Sequence, residues 1–281
     1  MLKVDIIFIT YNQEQYVAQG IESILNQKVD DNVKVRVIVA DDCSTDNTLE
    51  IIKSYESKSS FPFIYTDHSK NIGFHKNYRR AFGMCDGKYI AILEGDDWWH
   101  SNNHLQQHID FLENHTNFSM SFNQIRFFDS LSERYNTAWN LPNNFDYYPI
   151  TLKDQIVKGN QIGNLSACVF RKKLIDTIPN ELYESNFADW DLGMWMAKFG
   201  PIGFLKGDTS TYRVDHCGQW TKLDNVKRTE SMIDTLSYMD SILKYKYHKW
   251  FEKGKYNIEN DISINLYVSW KTKVKKFLHI V

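Results

Sequence analysis

Short apolar runs alternate with segments of helical periodicity over the first hundred residues, and this alternation constrains the fold more than any other feature. Runs rich in β-branched and aromatic residues predict buried strands over 4–9, 33–40, 61–65 and 89–93. Between them, apolar residues at helical spacing predict helices over 14–26, 45–55 and 76–84. This rhythm is typical of an α/β fold with a mixed, mostly parallel sheet and helices on both faces.

The rest of the chain is less regular. Its pattern predicts strands over 118–128 and 165–170, and helices over 105–113 and 190–199. Residues 130–149 are polar, aromatic and aperiodic, and we expect a long loop over the site there. From residue 225 onward the pattern is helical, and its last segment interleaves apolar residues with Lys271, Lys273, Lys275 and Lys276. A basic amphipathic helix of this kind either lies on an anionic membrane or docks on its own domain.

The bulk composition excludes some classes of protein. The chain has 281 residues, of which 42% are hydrophobic, so it can bury a substantial core. Its formal net charge of -2 gives no electrostatic reason to expect a nucleic-acid partner. With no signal peptide and no run of membrane-spanning length, we expect a cytoplasmic protein whose membrane contact is peripheral, at the inner face of the cell membrane. The cysteines are widely spaced and predict free thiols: Cys43, Cys85, Cys168 and Cys217.

Polar and acidic residues follow three of the predicted strands. Residues 10–12 (Thr-Tyr-Asn) follow the first, residues 41–42 (Asp-Asp) the second, and residues 94–97 (Glu-Gly-Asp-Asp) the fourth. In open α/β sheets, ligands bind beyond the carboxyl ends of the strands. We therefore expect a binding site at this edge, although the Asp pair at 41–42 is also ordinary turn chemistry.

The other candidate residues also have structural alternatives. Asp96 and Asp97 are adjacent carboxylates, which either hold a hard divalent cation or form a solvated turn. Asp189 and Asp191 could supply a general base or cap the helix that follows. His216 could ligate a metal or serve a structural role.

Five segments, in order, resemble the conserved blocks of glycosyltransferase family two, over roughly residues 3–215. Each segment is short, but the ordered set is specific. They are residues 9–12 (Ile-Thr-Tyr-Asn), 40–46 (Ala-Asp-Asp-Cys-Ser-Thr-Asp), 71–79 (beginning Asn-Ile-Gly and containing Asn77 and Arg79), 87–97 (ending Glu-Gly-Asp-Asp) and 189–192 (Asp-Trp-Asp-Leu).

The resemblance implies a GT-A (Rossmann-like) fold, an inverting mechanism and Mn²⁺ or Mg²⁺ as cofactor. It implies that Tyr11 stacks on the nucleotide base and that Asp42 hydrogen bonds to that base, usually uracil. Asp96 would contact the ribose or the metal's shell, and Asp97 would ligate the cation. Asp189 would be the general base.

His216 lies beyond these blocks, and from its position after the base block we expect it to complete the metal site at the diphosphate. The sequence departs from the family pattern at Glu94, where the family has Asp, and at Ala188, where it has Glu. Further nucleotide contacts are expected from Thr10, Asn12, Asn71 and Arg79.

The expected organisation is a catalytic domain over 1–220 and a helical extension over 221–281. The nucleotide-binding half would be about 1–100 and the acceptor half about 101–220. The expected partners are a nucleotide-sugar donor, taken as a UDP-sugar, and a glycan or lipid-linked acceptor of cell-surface polysaccharide synthesis.

Three other functions are open at this point. A glycoside hydrolase has no need of an acidic cluster at a nucleotide-binding edge. A nucleotidyltransferase would carry a Gly-rich phosphate loop after the first strand, which residues 10–20 lack. A non-catalytic nucleotide-sugar-binding module would not need Asp189.

Overall fold

The computed structural model describes residues 1–137, 146–184, 188–214 and 223–260. Within them, nine strands form one sheet in the order β3-β2-β1-β4-β8-β5-β9-β7, with β6 paired to β5. The strands are β1 (Leu2–Thr10), β2 (Val33–Asp41), β3 (Phe63–Tyr65), β4 (Tyr89–Glu94), β5 (Met120–Asp129), β6 (Arg134–Thr137), β7 (Tyr147–Ile150), β8 (Cys168–Arg171) and β9 (Ile202–Val214). The α-helices are α1 (Val17–Leu25), α2 (Thr48–Ser54), α3 (Phe74–Met84), α4 (His104–Asn114), α5 (Leu152–Val157), α6 (Lys172–Ile175), α7 (Asp189–Ala197), α8 (Asn225–Ile242) and α9 (His248–Glu259).

The first four strands are parallel, which confirms the α/β class predicted from the alternating pattern. β1 lies between β2 and β4, and the register pairs Thr10 with Asp41 and Ile9 with Glu94. The sheet becomes mixed where β8 pairs antiparallel with β4 and β5. Because parallel strands end at the same edge, this register brings the polar residues after β1, β2 and β4 together.

The central strand β1 explains why its sequence is a continuous apolar run. Ile6 and Phe8 point into the core on one face of the sheet, whereas Ile7 and Ile9 point into the core on the other. All four side chains are buried. A strand covered on both faces needs apolar residues at every position, since alternate side chains point to opposite faces.

Two local predictions are wrong. Residues 130–149 are not one long loop, because β6 and β7 lie within that range and pair with β5 and β9. The predicted strand at 165–170 begins instead as a turn of 3₁₀ helix, Leu165–Ala167, and only then becomes β8. In the first place cross-strand pairing, which has no local signature, decides the conformation. In the second, the Asn164 side chain accepts from the Ser166 N–H and caps the 3₁₀ turn.

The last two helices pack on the body of the protein. Phe251 of α9 and Leu236 of α8 are fully buried in the core that also contains Ile156 of α5. Asn257 donates a hydrogen bond of 2.9 Å to the carbonyl of Val157. Within the described residues, 223–260 are therefore largely helical and packed against α5.

Two further expectations meet the described residues only in part. Cys43, Cys85 and Cys168 are free thiols, as predicted. No helix among the described residues is long and apolar enough to cross a membrane. The lysine-rich segment at 270–281 lies outside the described residues.

Candidate active site

The turn after β1 exposes one aromatic ring. Asn12 has a φ of 52°. Its backbone N–H donates to Ser44 Oγ at 2.9 Å, and its Oδ1 accepts from the Thr45 N–H at 2.8 Å. Thr10 Oγ1 donates to Asp41 at 3.0 Å. Thr10 and Asn12 therefore hold the turn, and the side chain of Tyr11 stays 47% exposed at the edge of the sheet.

Asp42 ties the end of β2 to the loop before α3. Its two carboxylate oxygens accept from the backbone N–H groups of Ile72 at 3.0 Å and Gly73 at 2.8 Å. The residue is only 4% exposed. A hydrogen bond from Asp42 to a nucleotide base would have to be added to these two, so the direct contact stays a prediction. Asn71, in the same loop, is exposed.

The arginine at this edge is Arg80, and not the predicted Arg79. The Arg80 guanidinium donates to the carbonyl of Asp41 at 3.1 Å and lies 3.6 Å from Asp42 Oδ1. Arg79 points elsewhere on α3, with its guanidinium 6.0 Å from the ring centre of Tyr183. The two arginines are adjacent, and only the helical phase decides which one faces the strand ends.

The loop Glu94–Asp97, called the acidic loop below, approaches the backbone at the end of β1 closely. The Gly95 N–H donates to the carbonyl of Ile9 at 2.9 Å. A Cβ at Gly95 would lie 2.6 Å from Thr10 Cγ2, which no side chain tolerates without displacement. Glycine at this position therefore lets the Glu94–Asp97 loop cross the strand end.

Asp97 is buried, and its carboxylate already accepts three hydrogen bonds. Oδ1 accepts from the Arg213 backbone N–H at 2.8 Å, and Oδ2 accepts from Ser166 Oγ at 2.6 Å and Asn164 Nδ2 at 3.0 Å. The residue is 1% exposed. Burial, reinforced by the neighbouring Asp96 charge, raises the pKa of Asp97 to about 8. This geometry does not favour Asp97 as the metal ligand, whereas Asp96 is partly open to solvent.

The side chain of Arg213 holds the backbone of the acidic loop. Its Nε donates to the backbone carbonyl of Asp96 at 2.9 Å, and its Nη2 donates to Gln19 at 2.6 Å. The guanidinium lies 4.6 Å from the ring centre of Tyr16 and 4.8 Å from that of Trp98. Nothing in the sequence pattern singled out Arg213, because its partners are distant in the chain.

The carboxylates of the acidic loop influence one another electrostatically, and Asp189 at the start of α7 adds to this. Glu94 Oε1 accepts from the Tyr78 hydroxyl at 3.1 Å. Burial raises the pKa of Glu94 well above its usual range, and the charges of Asp97, Asp96 and, more weakly, Asp189 add to this. These groups are therefore close enough to repel one another.

The donor chemistry of this cluster suits a hard divalent cation. Carboxylate oxygens are the ligands that Mn²⁺ and Mg²⁺ prefer, and a cation would relieve the repulsion within the cluster. Among the described residues, no three His, Cys, Asp or Glu side chains are arranged to hold a metal by themselves. His216 lies outside the described residues, so its predicted role as a ligand stays a prediction.

Asp189 and Asp191 occupy different environments at the start of α7. Asp189 is partly exposed, and its Oδ2 accepts from Asn160 Nδ2 at 2.8 Å. Asp191 is 2% exposed and accepts from the Ala188 backbone N–H at 3.2 Å, which caps the helix. Burial raises the pKa of Asp191 to about 7. Of the two, Asp189 is the one that a substrate can reach.

Tyr212 on β9 is a further site residue with no sequence motif. Its ring packs edge-on against Phe127, with the centroids 5.7 Å apart. Burial raises the pKa of Tyr212 well above its usual range, and the charges of Asp97, Asp96, Glu94 and Asp189 add to it. The tyrosine is therefore within electrostatic reach of both the acidic loop and the predicted base.

Known proteins share this sequence pattern and fold. A protein of Mycobacterium tuberculosis with no assigned function is 28% identical over 222 residues, which are 76% of this chain and 60% of that protein. The fold matches Staphylococcus aureus TarS (residues 1–349) in complex with UDP, with a TM-score of 0.60 and 19% identity over 86% of this chain and 65% of that one. It also matches the mannosyltransferase PcManGT of Pyrobaculum calidifontis in complex with GDP-Man and Mn²⁺, with a TM-score of 0.60 and 14% identity over 83% of this chain and 63% of that one.

The family assignment follows from the sequence match over most of the chain. Residues 5–178 match the sequence model described as glycosyl transferase family 2. That segment contains the turn after β1, the strand-end Asp pair and the whole acidic loop. The chain spans about 60% of the length of the first relatives that it matches. The chain belongs to glycosyl transferase family 2.

Proposed function

We propose that this protein transfers a sugar from a nucleotide diphosphate donor to an acceptor hydroxyl, with inversion at the anomeric carbon. The observation that carries the proposal is that an exposed aromatic ring, Tyr11, and a partly open carboxylate, Asp96, lie at one sheet edge. Asp189 is joined to the same acidic loop by one short segment, in which Asn160 donates to Asp189 at 2.8 Å and Asn164 donates to Asp97 at 3.0 Å. These three groups match the needs of a base, a diphosphate with its cation, and an acceptor hydroxyl.

The nucleotide would bind at the turn after β1. Tyr11 offers its ring as a stacking platform, and the loop held by Asp42 lies beside it. The bound nucleotides of the structural neighbours, UDP for TarS and GDP-Man for PcManGT, support a nucleotide sugar as donor. Uracil is the base that we propose, so UDP-sugars should bind more tightly than GDP-sugars.

Asp96 would hold the divalent cation, in place of the Asp97 expected from sequence. Asp97 keeps a supporting role, since its oxygens already accept three hydrogen bonds from Arg213, Ser166 and Asn164. The Mn²⁺ bound to PcManGT supports a metal in a fold of this kind. A bound dication stabilises the charge that grows on a leaving diphosphate.

Asp189 would accept the proton of the acceptor hydroxyl. As the acceptor oxygen forms its bond to the anomeric carbon, the bond from that carbon to the diphosphate oxygen breaks and the electron pair leaves with the diphosphate. Asn160 holds one oxygen of Asp189 at 2.8 Å, which fixes the direction of the carboxylate. General-base catalysis of this kind typically contributes about 10²–10⁴-fold to the rate.

The acceptor and the cellular site complete the proposal. We propose a glycan or lipid-linked acceptor of a cell-surface polysaccharide, with contact to the membrane through the lysine-rich segment at 270–281. Liposome flotation of the full chain and of a chain ending at residue 268 tests the contact. Equal flotation of the two would remove the segment from the proposal.

The reaction is tested by measuring UDP release from UDP-sugars with and without EDTA, and with and without an acceptor extract. We expect release that needs both the cation and the acceptor. A nucleotidyltransferase would release pyrophosphate from a nucleoside triphosphate and a sugar phosphate, and a binding module would release neither product. Either of those outcomes would overturn the proposal.

A further inference from the structure

A second concave site lies on the flank of α3, away from the acidic loop. The cavity has a volume of about 410 Å³ and opens between α3 and the 3₁₀ helix Asn180–Glu184. That volume is in the range of small-molecule sites. Neither Tyr11, Asp96 nor Asp189 contributes to its wall. The wall is formed by Lys76, Arg79, Arg80, Gly83, Tyr183 and Glu184.

The wall of this pocket carries three cations and one carboxylate; Arg80 is offset by Asp42 at 3.6 Å, which leaves Lys76 and Arg79 against Glu184. Lys76 lies next to both Arg79 and Arg80 on α3, because residues three and four apart on a helix are neighbours. In the described part of the chain, neither Lys76 nor Arg79 has a carboxylate within ion-pair distance. A concave surface lined by unneutralised cations concentrates anions.

Arg80 contributes to the wall while its guanidinium is held from behind. Its Nη2 donates to the Asp41 carbonyl at 3.1 Å and to Asn77 Oδ1 at 2.7 Å, which fixes the side chain at the end of β2. Arginine also matches phosphate geometry better than a point charge does.

The position of the pocket relates it to the acceptor side of the reaction. On one side, Arg80 reaches the end of β2. On the other, Glu184 precedes Asp189 by five residues, which span at most about 18 Å of extended chain. A group bound in the pocket therefore lies within the length of an oligosaccharide of the predicted base.

We propose that this pocket binds a phosphate group carried by the acceptor substrate. The proposal rests on the transferase function proposed above, and it names the chemical class of the acceptor. Lys76, Arg79 and Arg80 would hold the phosphate oxygens, and Glu184 would accept hydrogen bonds from hydroxyls next to the phosphate. The phosphate can belong to a polyol or sugar phosphate, or to a lipid phosphate.

Binding of glycerol 3-phosphate, measured by isothermal titration calorimetry at constant ionic strength, tests the pocket. The double variant Lys76→Gln with Arg79→Gln should weaken binding about tenfold or more, since each lost charge-assisted hydrogen bond is worth that order. The matched control, Lys34→Gln with Lys53→Gln, removes the same charge from exposed positions elsewhere and should bind as the wild type does. Glu184→Gln keeps an acceptor oxygen for those hydroxyls but removes the negative charge that repels the phosphate, so it should tighten binding and gives a variant of opposite sign.

Farnesyl phosphate distinguishes the two sources of phosphate. Tighter binding than glycerol 3-phosphate would identify a lipid phosphate, and equal binding would identify a polyol or sugar phosphate; both support the pocket. The proposal would be overturned if the pocket variant and the control variant lost the same amount of affinity for glycerol 3-phosphate, or if the wild type bound neither ligand.

UDP affinity separates this proposal from the proposed transfer reaction. The pocket variant should bind UDP as tightly as the wild type. If the pocket variant also loses affinity for UDP, and UDP displaces glycerol 3-phosphate, the pocket binds the donor diphosphate and the inference is wrong. If sugar transfer itself is not found, the binding measurements still decide whether the pocket takes phosphate.

Discussion

At the scale of single residues, two adjacent carboxylates in the acidic loop have opposite environments. Asp97 is enclosed by donors from residues 164, 166 and 213, whereas Asp96 is partly open. Sequence alone could place both at the strand end, because the apolar run of β4 ends just before them. It could not rank them, since the donors that bury Asp97 come from positions about 70 and 116 residues further along.

If Asp96 holds the cation, substitutions of Asp96 and of Asp97 should have different effects. Asp96→Asn should abolish most Mn²⁺-dependent transfer while the unfolding midpoint stays near that of the wild type, because the side chain is not part of the core. Asp97→Asn turns an amide N–H₂ towards the Asn164 amide, and should cost about 1–3 kcal/mol of stability. Mn²⁺ activation curves and thermal unfolding of both variants decide the order. A fully active Asp96→Asn would return the cation to Asp97.

The base assignment gives a second residue-scale prediction. Asp189→Asn should lower kcat by about 10²–10⁴-fold, because it removes the proton acceptor. Its affinity for the donor nucleotide should not change, since the base acts on the acceptor. Asp191→Asn should retain activity and lose on the order of 1 kcal/mol of stability, as expected for a weakened cap. A silent Asp189→Asn beside an inactive, folded Asp191→Asn would move the base to Asp191.

At the scale of elements, the strands of the first half were predictable because they are buried on both faces and read as unbroken apolar runs. The helix predicted over 45–55 was placed only approximately. α2 begins at Thr48, where Asp46 Oδ1 accepts from the Thr48 N–H at 3.0 Å. Residues 130–149 could not be predicted, because β7 is defined by pairing with β9, more than fifty residues later.

The helix α4 carries two buried histidines that make stability depend on pH. His104 and His108 are fully buried with ring centres 4.6 Å apart, and the Nε2 atom of each has no hydrogen-bond partner among the described residues. Burial lowers the pKa of His108 to about 3, and lowers that of His104 well below its usual range. Both are therefore neutral in the folded protein at neutral pH.

The sign of the effect follows from these lowered pKa values. Below about pH 6.5 these histidines bind protons in the unfolded chain but not in the folded protein. The free energy of unfolding therefore decreases as the pH falls from there towards 3. His108 should contribute about 1.4 kcal/mol of loss per pH unit in this window. His108→Gln should reduce the slope of unfolding free energy against pH by that amount. Parallel slopes for the wild type and His108→Gln in urea titrations would contradict the assignment.

At the scale of the whole molecule, the order of the motifs along the chain predicted where the site lies better than the spacing of residues within any one motif did. The motifs at 10–12, 41–42 and 94–97 meet because β1 lies between β2 and β4, and a parallel sheet brings such strand ends together. The second half contributes residues that no motif marks, such as Arg213 and Tyr212. They reach the site because β9 passes beneath the acidic loop, where Trp98 bridges to Thr211.

The C-terminal helices give the prediction for the molecule as a whole. Phe251 is fully buried, and it lies in the same core as Ile156 of α5 and Trp190 of α7. Trp190 follows the predicted base directly, and its indole N–H donates to the carbonyl of Gln155 at 2.8 Å. The helices α8 and α9 therefore support the element that presents Asp189.

Phe251→Ala should cost about 3–5 kcal/mol of stability, because it leaves a cavity in this shared core. At temperatures where the variant is still folded, kcat should fall while UDP affinity is retained, since α7 is loosened and the turn after β1 is not. Tyr256→Ala, half exposed on the same helix, is the matched control and should change neither quantity. Unfolding by urea and steady-state kinetics measure the two effects. A variant that loses stability in two separate transitions would show instead that the C-terminal helices unfold independently of the catalytic body.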